Sequence, residues 1–155
     1  MKNEFMSNFI FSLIIHIAVS GIVLLNVFLL GMGGRIPFTI IWLTCLATAL
    51  YLFLGSKLKP LKSGVWNYLS VSSSFMIMTI FTTFNLIMHG NNMYPLYDWL
   101  LELMLYVSFG VLANPIVDMF GRSGFYILAI LPSIFMWLGL TYKKKKVSAN
   151  NSSEK

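Results

Sequence analysis

Charge is what this sequence has least of. Only 10% of its 155 residues are Asp, Glu, Lys or Arg, against about 25% in an ordinary soluble domain. With 57% hydrophobic residues and a mean hydropathy of +0.78, too little polar side chain remains to coat a soluble surface. Carboxylates are scarcer still, five against eleven basic groups, for a net charge of +6. A nucleic-acid binder would gather such an excess on one soluble face. Here it sits in short segments between apolar runs, which excludes a nucleic-acid partner. The one cysteine, Cys45, lies inside an apolar run, so an intrachain disulfide and a thiolate metal site are excluded too. Catalytic signatures, cofactor motifs, metal-ligand spacings and the GxxxG pair are all missing. The glycines at 31, 33 and 34 match neither GxGxxG nor a P-loop and read as a tight turn before Pro37. The expectation is a chain without cofactor or metal that is more plausibly not an enzyme.

What is present is a set of long apolar runs. A bilayer core about 30 Å thick needs roughly 20 apolar helical residues. Residues 9–30, 37–54, 66–88 and 125–141 are each free of Asp, Glu, Lys and Arg and meet or approach that length. The first run is longer than a signal-peptide core and lacks a small-x-small cleavage pattern, so it is expected to stay in the mature protein. Aromatics fall at the run ends (Trp66, Tyr68, Tyr142) or in the 90–99 segment (Tyr94, Tyr97, Trp99), as interfacial belts do. Pro132 should kink the last run by freeing a carbonyl one turn earlier.

A fifth stretch, 96–117, is long enough to cross but carries Asp98, Glu102, Asn114 and Pro115. The charge balance decides against a crossing. With four spans, Lys2, Lys57, Lys59, Lys62, Lys143, Lys144, Lys145, Lys146 and Lys155 all face the cytoplasm and only Arg35 and Arg122 lie outside. A fifth crossing would divide them almost evenly, against the positive-inside rule. The sequence therefore predicts an all-α, polytopic membrane protein: a four-transmembrane-helix bundle with an additional extracytoplasmic helix, interfacial or re-entrant, over about 97–113. Both termini are expected in the cytoplasm. Asp98 and Glu102, four apart, share a helical face that Tyr106 and Phe109 continue and that could meet water. The tail, 143–155, is basic and without apolar periodicity, and is expected to be disordered. Its lysines Lys143, Lys144, Lys145 and Lys146 are expected to meet anionic lipid headgroups. Nine lysines to two arginines, with many asparagines, are the usage of an AT-rich bacterial genome, so the membrane is expected to be a bacterial cell membrane.

Counting depth along each run places one polar layer at about 9 to 12 Å from the inner ends of the first and third runs and along the second and fourth: His16, Thr48, Ser72, Ser73, Ser74 and Ser133. Ser12, His16 and Ser20 share one face, at a spacing that lets a neighbouring helix approach and hydrogen-bond. An outer set, Asn26, Asn85, His89, Asp98, Glu102 and Arg122, is the candidate ligand or partner site. Ionisable groups at membrane depth are functional candidates by default, and a carboxylate beside a histidine is the minimum for acid/base work. The leading functional expectation is a small accessory or interaction subunit of the envelope, of immunity or of a transporter, partnered by lipid and by another membrane protein or a second copy of itself. The alternative is a transporter or channel component using His16 and Glu102. A third reading is a membrane enzyme acting on a lipid-linked substrate.

Overall fold

The computed structural model describes residues 2–30, 36–89, 109, 116, 119–120 and 124–153. Among the described residues all regular structure is helical: α1 (Lys2–Leu30), α2 (Ile36–Gly55), α3 (Gly64–Ser70), α4 (Ser73–His89) and α5 (Gly124–Ser153). Two segments, Lys2–Asn26 and Tyr126–Lys144, are long and apolar enough to cross a membrane, and Ile41–Gly55 is a shorter apolar helix. The glycine turn and the helix expected over 97–113 lie outside the described residues, apart from Phe109.

Contacts order the long helices. α1 packs on α2, α2 on α5, α5 on α4 and α4 on α1, while α1 and α5 meet only marginally. Side-chain pairs give the directions. Asn8 reaches Lys59 and His16 reaches Tyr51, so α1 and α2 are antiparallel. Ser74 faces Ser133 and Thr83 faces Tyr126, so α4 and α5 are antiparallel as well. α1 and α4 run the same way, since Asn8 meets Ser70 and Ser12 meets Ser73. α2 and α5 also run together, with Gly55 against Met136 and Leu58 against Lys143. α4 is therefore not beside α2, its predecessor among the long helices. The intervening loop must cross one end of the molecule.

That loop is fixed from both sides. α2 ends in tightened turns, with Lys57 N–H donating to Leu54 O at 3.0 Å and Leu58 N–H to Gly55 O at 3.1 Å, and Pro60 cannot extend a helix. Leu58 and Leu61 are buried and close the end of the core. On the α5 side, Lys143 Nζ donates to Leu58 O at 3.1 Å and Lys144 Nζ to Lys62 O at 2.8 Å. These contacts carry α5 past the apolar run. The tail expected to be disordered continues the helix to Ser153, because two lysines of its first turns are anchored and lysine is a good helix former.

The run 66–88 is not one helix. α3 stops at Ser70 and α4 begins at Ser73, with Val71 N–H donating to Tyr68 O at 3.1 Å and Ser72 N–H to Leu69 O at 3.4 Å. The cause is local. Serine hydroxyls compete for backbone acceptors, and Ser70 Oγ donates to Asn67 O and Ser72 Oγ to Leu69 O, both at 2.9 Å. α3 and α4 nonetheless occupy one position in turn, both between α1 and α5.

The core comprises Val19, Val23, Leu43, Ala47, Tyr51, Leu58, Val71, Phe109, Leu128, Met136 and Leu140. Phe109 is buried at 1% exposure, with its ring 5.8 Å from Tyr51 and 5.6 Å from Phe135, so it is not on a water-facing stripe as expected. Seven residues later Ile116 lies against Gly124, the first residue of α5. Phe109 thus lies beside Phe135 within α5, and Ile116 beside the start of α5, the same end at which α4 finishes.

α2 and α5 touch through backbone. A Cβ on Gly55 would fall 2.5 Å from Met136 O, and one on Gly139 would strike the Leu52 carbonyl. Gly21, by contrast, faces open space. Gly55→Leu and Gly139→Leu should therefore each lower stability by about 1 to 3 kcal/mol or more, as overpacking does, while Gly21→Leu should change it little. Thermal unfolding of the detergent-solubilised protein reads the difference.

Candidate functional site

Seven of the polar residues on α1, α3 and α4, together with Ser133 on α5, form one buried seam toward the loop end. Asn8, Ser12, His16, Asn67, Ser70, Ser73, Ser74 and Ser133 are all buried. Asn8, Ser12 and His16 recur every four residues and so lie on one face of α1, and that face turns inward. The outward face of the same helix carries Met6, Ile10, Ile14, Ile17, Leu25 and Leu29, all exposed, Leu29 at 76%. This is the reverse of a water-soluble helix, which hides its apolar face.

Within the seam two asparagines clasp the loop on either side of Pro60. Asn8 Nδ2 donates to Lys59 O at 2.8 Å while Lys59 N–H donates to Asn8 Oδ1 at 3.3 Å. Asn67 does the same to Leu61, accepting from its N–H at 2.5 Å and donating to its C=O at 3.3 Å. Each carboxamide therefore satisfies both backbone groups of one loop residue, as a paired strand would. Asn8 Nδ2 also approaches Ser70 Oγ at 3.5 Å, which joins the two clasps.

Further along, Ser12 and Ser73 share a hydrogen bond of 2.5 Å and Ser74 and Ser133 one of 3.5 Å. His16 Nδ1 lies 2.7 Å from Tyr51 Oη. The two rings stack with centroids 6.1 Å apart, and Tyr51 stacks in turn on Phe109. This pairing departs from depth counting. Among the described hydrogen bonds His16 meets Tyr51 of α2, about one helical turn from Thr48, the residue the layer placed on that helix. Thr48 is half-buried and joins none of the described hydrogen bonds.

Of the outer set, Asn26 donates from Nδ2 to its own helix at Ile22 O, 2.8 Å away, and Asn85 and His89 sit on the last turns of α4. The side chains of Asn85 and His89, and the residues Asp98, Glu102 and Arg122, lie outside the described residues. Among the described residues no group of His, Cys, Asp and Glu is placed to hold a metal ion. Asn8, Asn67, Ser70 and Tyr51 were not singled out by sequence reasoning. Asn8 had a signal: it extends the Ser12–His16 stripe by one turn but precedes the apolar run. Tyr51 had another, as a tyrosine inside a run rather than at its edge.

Compared with protein families, curated proteins and solved structures, the chain matches none of them. The chemistry must come from the geometry. A seam of neutral amides, hydroxyls and an imidazole, bonded to one another and to backbone, holds the chain together and gives His16 a fixed orientation.

Two outcomes follow for stability. Asn67→Ala strands the N–H and C=O of Leu61 and should cost about 1 to 3 kcal/mol. A double-mutant cycle on His16→Phe and Tyr51→Phe should return a coupling of about 0.6 to 1.7 kcal/mol. Both are read by equilibrium unfolding in mixed detergent micelles.

Proposed function

We propose that this chain is a four-span integral membrane protein, with α1, α2, the broken α3–α4 rod and α5 as the spans and the loop end in the cytoplasm. It acts as a non-enzymatic accessory or interaction subunit of a bacterial cell membrane. The observation that carries the reading is the first half of α1, where Asn8, Ser12 and His16 are buried while Met6, Ile10, Phe11, Ile14 and Ile17 are exposed. The low burial of the two longest apolar segments, 28% and 39%, supports it, since the core helix of a soluble protein would be mostly covered. So do Lys2, Lys57, Lys59, Lys62, Lys143 and Lys144, which fall at one end of this arrangement, as the positive-inside rule requires. The positions of Phe109 beside Phe135 and of Ile116 beside Gly124 favour a re-entrant segment between the last two spans over a fifth crossing.

The interaction role rests on how the buried polar groups are used. They bond to one another and to backbone, which suits a scaffold, and leave the basic end of α5 and the 90–123 segment to meet partners or a second copy. One observation favours a second reading, a transporter or channel component: a helix broken at membrane depth is a device of transporters, and His16 lies near the break. In that case replacing His16 or Glu102 should abolish flux and leave assembly intact, whereas in an interaction subunit removal of 145–155 should matter more.

Topology is tested by single cysteines at Asn91, Ser123 and Ser148 in a Cys45→Ala background, labelled on intact cells with an impermeant thiol reagent. Labelling is expected at Asn91 and Ser123 and not at Ser148. Labelling of Asn91 and Ser123 from opposite sides would overturn the four-span arrangement.

A further inference from the structure

The loop end of the molecule contains a cavity of about 250 Å³ lined by Lys2, Phe5, Leu61 and Trp66. Its wall is apolar. The rings of Phe5 and Trp66 meet edge to face, 5.8 Å apart at 88°, Leu61 is buried between core and loop, and Trp66 remains 47% exposed beside the exposed Val65. Its rim is cationic. Lys2 lines it directly, the exposed Lys62 follows the lining residue Leu61 in the chain, and Lys144 Nζ donates to the Leu61 carbonyl at 3.4 Å and to that of Lys62 at 2.8 Å. Glu4, in the first turn of α1, follows Lys2 by two residues.

We propose that this cavity binds an anionic phospholipid of the leaflet that faces the loop. Its phosphate lies among Lys2, Lys62 and Lys144, and its glycerol and first acyl carbons lie against Phe5, Leu61 and Trp66. Both chemistries are needed. A free phosphate has no use for the aromatic wall, and a zwitterionic lipid gains little from three ammonium groups. The site differs from a diffuse attraction to the lysine run, because Lys143 and Lys144 have their ammonium groups on loop carbonyls and are held in position. A half-exposed tryptophan at the same level is a headgroup-depth residue. The inference rests on the membrane reading above, in that the loop end must lie at a bilayer surface.

Native mass spectrometry of the full chain in detergent, titrated separately with phosphatidylglycerol and with phosphatidylcholine of the same acyl chains, tests it. Phosphatidylglycerol should bind more tightly. Lys2→Ala and Lys62→Ala should each reduce its affinity about fivefold, the equivalent of roughly 1 kcal/mol per lysine near a headgroup, without changing that of phosphatidylcholine. Trp66→Ala should weaken both lipids and Trp66→Phe should recover most of the loss. The pair Lys145→Ala and Lys146→Ala should leave both affinities unchanged. Equal affinity for the two lipids overturns the proposal. So does an equal loss from the Lys145 and Lys146 pair, which would mark diffuse charge, and so does displacement of the lipid by inorganic phosphate, which would mark a free-phosphate site. Lipid in detergent reaches either end of the molecule, so failure here leaves the four-span topology standing, and failure of the labelling experiment leaves this affinity measurable.

Discussion

A backbone N–H or C=O placed in an apolar interior must find a partner, because leaving one unmade costs a large part of its desolvation free energy. Within a helix the partners are automatic. They are not automatic where the chain leaves α2, crosses the end of the molecule and enters α3, nor where α3 gives way to α4. Those two places are where the buried polar side chains lie. Asn8 and Asn67 satisfy Lys59 and Leu61, Ser70 and Ser72 bond back to Asn67 O and Leu69 O, and the lysines at the end of the apolar part of α5 bond Leu58 and Lys62. The polar seam is thus the complement of the breaks in helical structure.

The same constraint sets the order of the helices. Were α4 to pack beside α2, a short loop at the edge would do. Here α1 and α4 run together and share the serine contact, α2 and α5 run together and share the glycine contact, and the loop spans the end between them. Each like-directed pair has its own means of close approach. One uses small hydroxyls that hydrogen-bond across the interface and the other uses the absence of Cβ atoms. Both are what helix association relies on when the surroundings are as apolar as the side chains, so that burial of apolar surface drives little.

Much of this was legible in the sequence. Charge-free runs marked where the long helices lie, although α1 begins before its run, at Lys2, and α5 continues past its run to Ser153, and the Ser12–His16 spacing pointed to an inward polar face. The break at Val71–Ser72 was not legible, because no proline or glycine marks it and serine is tolerated in helices as well as in turns. The extension of α5 was missed for a related reason: composition describes a lysine run as solvated, but cannot show that two of its members have carbonyls waiting. Neither Gly55 nor Gly139 stood out, since a glycine in contact with a neighbouring backbone looks no different in sequence from one that faces open space, such as Gly21. The outer set around Glu102 falls largely outside the described residues, so its assembly rests on sequence reasoning alone.

Two kinds of contact hold the described helices together, and the difference bears on how His16 is read. At the loop end the ties are directional: paired amides, hydroxyls and ammonium groups aimed at named carbonyls. About one turn inward from Gly55, Phe109 forms an aromatic stack with Tyr51 and Phe135, worth about 0.5 to 1.5 kcal/mol per pair beyond its buried area. Aromatic contacts tolerate sliding where a bidentate amide clasp does not. A stacked ring is therefore held less strictly than a loop fixed at both its N–H and C=O groups. His16 and Tyr51 join the two kinds of contact, hydrogen-bonded to each other, with Tyr51 stacked in turn on Phe109. A polar core of this kind is accounted for by the contacts it makes within the chain, without needing to touch a substrate, which is the physical reason a scaffold reading of His16 competes so well with a chemical one.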